Sequence, residues 1–522
     1  MLNFFLSVYE IKDLKKFFFK FILILNIFQI FFILPIFFIR NIFLTGIIIF
    51  IFILLTTCLN LNSKFQERPF SFILMFITTL FVNIPLIFIT YCGIDYNYEY
   101  VSKNIPFSRD VYTMLFPYSV IWLFFSWLAI YLGICLSGIK KLYLYQKKVT
   151  IRSDENIQER YNVRLYEKFK EIKLSTIVFW AIIVFFFSIL KDSNYQKIYL
   201  DINFENVKIY DYIGTILVEE IILFLFLIVN FKLSDCKDFS LNTKEYYLTY
   251  FILVFLLLTS KIHAGSRGSF VIFFFYFFLN FMILSQFSKT KIIFLSTKFL
   301  ILVPIILIIS FDLGDFTRSY FRSYETQDAN IFFNLEYQKE LFTKILYRIS
   351  SAGTHQFILI FVSYINSIID LDTSTNLLKY ISYNLINLFT PGTIFLDYYS
   401  PSSQFLDDII NHGMIYNLEI THFQLVKTLN TQAYSIWGFF LIVFNFFSFF
   451  FLFFFSFLMA LMFKTKNLFV KILILNLFYG FFFNYGPEYV LFNNIMMTIN
   501  FIIVFNILIF LSKVFSKSTS YK

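Results

Sequence analysis

The chain has 522 residues, of which 59% are hydrophobic and 15% charged. That balance excludes a soluble globular protein, because apolar runs long enough to cross a bilayer recur along nearly the whole length. The net charge of +10 does not indicate nucleic acid, since the basic residues sit mainly between the apolar runs.

Window hydropathy predicts about twelve spans, at 17–39, 41–58, 70–90, 113–137, 174–190, 211–231, 247–260, 269–287, 292–311, 435–462, 468–484 and 490–512. The first run lacks a small-residue cleavage site, so it reads as a span rather than a signal peptide. The fold expected is an all-α polytopic membrane protein. Residues 1–311 would form a membrane domain of nine spans and 312–434 a large outer loop. Residues 435–522 would form the last three spans.

The segment 138–173, with ten Lys and Arg from Lys140 to Lys173, orients the chain. With this segment and both termini on the cytoplasmic side, 28 of the 43 basic residues fall on the side that the positive-inside rule favours. The outer face then carries 91–112, 191–210, 261–268, 312–434 and 485–489. Loop 312–434 is far longer than a compact membrane protein needs for a connection, which marks it as functional. Within it, Phe357–Ile369 is too short to span, and Leu377–Phe389 contains Lys379. Both read as interfacial or re-entrant helices, and a fourteen-span count would leave the sidedness unchanged.

The 81 phenylalanines are best explained by a codon bias toward AT-rich sequence, with Phe standing in for Leu as lipid-facing bulk. Cys58, Cys92, Cys135 and Cys236 are scattered, so neither a disulfide framework nor a metal site is expected. No nucleotide-binding loop, zinc signature or nucleophile elbow is present, and no cofactor is expected. Asp370-Leu-Asp372 reads as solvated surface.

Four groups of residues carry candidate chemistry. Glu219 and Glu220 lie inside span six, where a carboxylate is costly and marks function. They point about 100° apart on a helix, so one faces the interior. Next comes the polar connection Thr259–Ser269, with Gly265, Ser266, Arg267 and Gly268. Its glycines allow a tight turn and close approach to a ligand, and its arginine at the membrane edge calls for an anionic partner. Arg318 and Arg322, four apart after span nine, share a helix face. Their planar donor forks suit phosphate oxygens. Finally Arg348, His355 and His412 lie in the outer loop. A neutral imidazole there would take a proton from a sugar hydroxyl.

Three stretches together resemble the oligosaccharide repeat-unit polymerases, the Wzy-type O-antigen polymerases. They are Ala264-Gly-Ser-Arg-Gly268 between apolar runs, the arginine-bearing Asp315–Glu325 before a large outer loop, and Asn430–Gly438 before span ten. The likeness covers roughly residues 247–460; the N-terminal half matches in hydropathy alone. It implies a membrane glycosyltransferase of GT-C-like architecture in a bacterial inner membrane, working on the periplasmic face. Such an enzyme acts on undecaprenyl-diphosphate-linked glycans, alongside a chain-length regulator. By the same likeness, Arg267, Arg318 and Arg322 would stabilise the leaving diphosphate. Glu219, Glu220 or His355 would serve as base, and Gly265, Ser266, Gly268, Arg348 and His412 would hold substrate. The long loop has few glycines and carries no clear acidic or histidine signature of that family. Two rival readings are a glycolipid flippase, which the intramembrane Glu pair suits, and an O-antigen ligase.

Overall fold

The computed structural model describes residues 6–34, 43–62, 70–92, 108–138, 172–183, 185–186, 225–233, 243–263, 283–284, 291–299, 436–444, 447–464 and 470–474. It also describes isolated positions, among them Ile222, Phe281, Ile358 and Phe361. The domain limits drawn at 311 and 434, and most of spans six, eight, nine and twelve, lie outside the described residues.

In chain order the elements are strand β1 (Leu6–Glu10), helix α1 (Ile11–Ile33) and helix α2 (Phe43–Asn60). Helix α3 follows, running as α-helix over Ser71–Ile77, π-helix over Thr78–Asn83 and α-helix again over Ile84–Cys92. Then come α4 (Arg109–Ser137), α5 (Leu174–Ile183), α6 (Thr243–His263), strand β2 (Lys291–Leu295), α7 (Ile436–Phe444) and α8 (Ser448–Met462).

Three helical stretches among the described residues are long and apolar enough to cross a membrane: Ile11–Ile33, Ile73–Thr90 and Arg109–Ser137. The surfaces of the first and third fit lipid better than water, while the second is mostly buried. Along α1, Phe28, Phe31 and Phe32 stand 56–65% exposed. A row of bare phenylalanines on one helix is costly in water and costs nothing against acyl chains.

Local chemistry explains the helix ends and the irregular turn. The Ser108 hydroxyl accepts the Val111 N–H at 3.4 Å and caps α4, with Asp110 in the first turn. Gly138 closes α4, its N–H reaching the carbonyls of Cys135 and Leu136. The π-helix in α3 ends two residues before Pro85, which has no N–H and whose ring collides with the carbonyl four residues back. Widening that turn relieves the collision. Phe70, at the start of α3, sits at φ 65°, a conformation that costs a non-glycine residue roughly 1–2 kcal/mol. Its ring is buried 4.6 Å from that of Phe463, which offsets the strain.

Among the described residues, the most extensive helix pair is α4 with α8. The two run parallel: Trp122 meets Phe449 at 4.4 Å, Gly133 meets Ser456 and Phe453, and the Lys464 Nζ donates to the Ser137 carbonyl beyond the last turn. Small residues Ser126, Ala129, Gly133 and Ser137 recur on the buried face of α4, and Ser448, Ser456 and Ala460 on that of α8. Such spacing lets two backbones approach closely in lipid, where van der Waals packing drives association.

Three expectations need correction. The chain is not purely helical: β1 pairs antiparallel with β2, Val8 opposite Ile293 and Glu10 opposite Lys291. Hydropathy reads 292–311 as a span, yet its first residues are strand. A short apolar run such as Ile292–Leu295 does not distinguish strand from helix by periodicity. Its strand partner lies nearly three hundred residues away. The pair is sealed on both sides. The Asn230 Oδ1 accepts the Ile293 N–H at 3.1 Å, Val8 backbone bonds Tyr247, and Phe18 packs between Phe281 and Phe294, each at 5.3 Å. The second correction concerns the polar connection Thr259–Ser269. Helix α6 runs on to His263, so Thr259–His263 continue its hydrogen-bond ladder. In apolar surroundings that continuation satisfies backbone groups that an open turn would strand. The third correction concerns span ten, read as one crossing at 435–462. Helices α7 and α8 fold back on each other there, with Phe440 5.5 Å from Phe455 and Phe444 3.8 Å from Phe451 between ring centres. One continuous helix would set positions 440 and 455 about 22 Å apart.

The strand pairing supports a direct test. A Val8→Cys/Ile293→Cys protein should form an intramolecular disulfide under mild oxidation, seen as a mobility shift on non-reducing gels. A Val8→Cys/Phe28→Cys control should not.

Candidate functional site

The residues singled out for chemistry are, in chain order, Glu219, Glu220, Gly265, Ser266, Arg267, Gly268, Arg318, Arg322, Arg348, His355 and His412. All lie outside the described residues. What the structure provides is the frame around them. Helix α6 ends at His263, one residue before Ala264-Gly-Ser-Arg-Gly268. Tyr247, in the first turn after its start, touches the β1 strand. From Tyr247 to His263 the helix rises about 24 Å at 1.5 Å per residue. The stretch Ala264–Gly268 therefore follows the end of α6 remote from the strand pair. Ile358 and Phe361, three and six residues after His355, are helical and buried, and the Phe361 ring lies 5.7 Å from that of Trp122.

The described residues contain two further arrangements that sequence reading passed over. The first is a polar network among α1, α2 and the π-helical part of α3. Gln29 Nε2 donates to the Thr79 carbonyl at 2.8 Å, and the Thr79 hydroxyl donates to Asn26 Oδ1 at 3.2 Å. Asn83 Nδ2 donates to Gln29 Oε1 at 3.1 Å and to the Thr56 hydroxyl oxygen at 3.4 Å. Trp127 Nε1 reaches the Thr78 hydroxyl at 2.5 Å from α4. None of Asn26, Gln29, Thr56, Thr79 and Asn83 exceeds 5% exposure, so the network is closed to bulk water and lipid alike. A signal was available: amides at 26 and 29 and at 83 interrupt otherwise apolar runs.

Closed packing makes this network a lock on helix register rather than a solute path. A double-mutant cycle on Gln29→Leu and Asn83→Leu should give a coupling of about 0.5–1.5 kcal/mol, typical for hydrogen bonds between membrane helices. Thermal unfolding of the purified variants in detergent measures it.

The second arrangement is an open groove of about 670 Å³ between α4 and α8. Leu115, Tyr118, Ile121, Trp122 and Phe125 line it from α4 and Phe449 from α8, and Phe361 completes the lining. Within the lining, Trp122 lies 4.4 Å from Phe449 and 5.7 Å from Phe361 between ring centres. The lining is aliphatic and aromatic, suited to hydrocarbon and offering nothing for catalysis. Among the described residues no cluster of three or more His, Cys, Asp or Glu side chains stands where a metal ion would sit.

The chain matches no protein-family model, no curated protein and no solved structure.

Proposed function

We propose that the chain is a membrane glycosyltransferase that polymerises undecaprenyl-diphosphate-linked oligosaccharide repeat units on the outer face of a bacterial inner membrane. The observation that carries this reading is the arginine set in the sequence: Arg267 four residues after the end of α6, with Arg318 and Arg322 four apart beyond the next apolar runs. In the proposed step an acceptor sugar hydroxyl attacks the anomeric carbon of the donor chain. The anomeric C–O bond breaks and lipid diphosphate departs, its growing charge held by the three guanidinium groups. Glu219, Glu220 or His355 takes the hydroxyl proton. Gly265, Ser266, Gly268, Arg348 and His412 hold the substrate, and a chain-length regulator is the expected protein partner.

Helix contacts support the sidedness this reading needs. Segments that the charge distribution assigns to the cytoplasm meet one another: Glu10 with Lys291, Phe70 with Phe463, and Ser137 with Lys464. Arg267 follows the end of α6 that is remote from the β1–β2 pair, which fits an outer-face site. The flippase reading would draw on the amide network at mid-span, but that network is packed shut.

Deleting the gene in its host is the test. Loss of a polymerase leaves single repeat units on the final acceptor. Loss of a flippase leaves no glycan there, and loss of a ligase accumulates long lipid-linked polymer.

A further inference from the structure

We infer that the groove between α4 and α8 is a binding site for one acyl chain of a membrane phospholipid. Three observations lead there. The rim side chains Tyr118 and Phe125 are 59% and 50% exposed, and the apolar surface continues along α8 through Phe450 and Phe454, 57% and 40% exposed. The groove therefore opens onto the surface that faces lipid, and its occupant comes from the membrane. The volume of about 670 Å³ is that of an ordinary ligand site rather than a packing defect. Left unfilled, its aromatic walls would forfeit dispersion contacts along their whole length.

Length selects the chain. From Leu115 to Phe125 the helix rises about 15 Å, which is half of the roughly 30 Å hydrocarbon core and so the depth of one leaflet. An acyl chain of a phospholipid is one leaflet long, whereas a polyprenyl carrier is much longer. The inference is independent of the polymerase reading. It needs a chain embedded in lipid, and no activity.

Native mass spectrometry of the full-length protein, titrated with palmitoyl-oleoyl phosphatidylglycerol, tests it. The wild type should retain one phospholipid through delipidation that strips the rest. Leu115→Trp, which fills the groove from within, should cut that retention about tenfold. Tyr118→Ala, an exposed rim change that leaves folding intact, should cut it severalfold. Phe450→Trp, on the lipid-facing side of α8 outside the groove, should leave it unchanged. Equal retention by wild type, Leu115→Trp and Tyr118→Ala would overturn the assignment. So would a wild type that retains polyprenyl phosphate, titrated separately, in preference to the phospholipid.

Discussion

Replacing Gly133 by leucine should abolish recovery of a monodisperse, folded protein. A Cβ built at Gly133 would lie 2.5 Å from the Phe453 carbonyl oxygen and 3.0 Å from the Phe457 nitrogen, and would collide with the Ser456 hydroxyl. Two of these three obstacles are backbone of α8 and cannot rotate away. The helices must separate, and the pair that would separate is the most extensive in the described fold. Alanine already forces this movement, at a cost of about 1–3 kcal/mol for overpacking a close contact. Leucine adds three carbons with nowhere to go. Ser456→Gly removes the hydroxyl but leaves the Phe453 carbonyl, so Gly133→Ala/Ser456→Gly should recover part of the alanine loss. Size-exclusion profiles after heating, read as a midpoint temperature, rank the wild type above the double variant, and the double variant above Gly133→Ala. A Gly133→Leu protein with a wild-type midpoint would mean that α4 and α8 do not pack in this register.

That helix pair also shows what a single sequence conveys and what it withholds. Hydropathy alone reads 113–137 and 435–462 as one span each, but the second is folded into α7 and α8. Helices Arg109–Ser137 and Ser448–Met462 run parallel. What hydropathy cannot convey is which spans are neighbours, because a lipid-facing Phe and a helix-facing Phe have the same side chain. The small residues at 126, 129, 133 and 137 were visible as letters. They gain meaning only when Ser456 and Phe453 stand opposite Gly133. Similarly, Ile292–Leu295 reads as the start of a span until β1 supplies a partner. Thr259–His263 reads as a polar connection although the helical ladder carries through it. The amides at 26, 29 and 83 are the converse case. Each is expensive alone in an apolar run, and that cost predicts mutual hydrogen bonding, which the packing of α1 on α3 provides. For the candidate site, residue chemistry and spacing are legible: three arginines in segments that charge counting assigns to the outer face, one of them between two glycines. How these segments, far apart in the chain, lie relative to one another is not written in their spacing, and the arginines fall outside the described residues.

Arg267→Ala carries the largest expected effect on activity. A guanidinium fork at the leaving diphosphate stabilises charge that develops only as the glycosidic bond breaks, so its loss falls on turnover rather than on substrate capture. Removing one such donor costs about 10²–10³-fold in rate. Lysine keeps the charge without the planar two-point geometry, so Arg267→Lys should recover only part of the loss. Arg68, assigned to the cytoplasmic side, serves as a control: Arg68→Ala should polymerise at the wild-type rate. The decisive measurement is glycan chain growth in membranes containing each variant at matched, folded levels, supplied with lipid-diphosphate-linked repeat units. The account predicts polymer from the wild type and Arg68→Ala, and single repeat units from Arg267→Ala. Full-length polymer at the wild-type rate from a correctly inserted Arg267→Ala protein would contradict it.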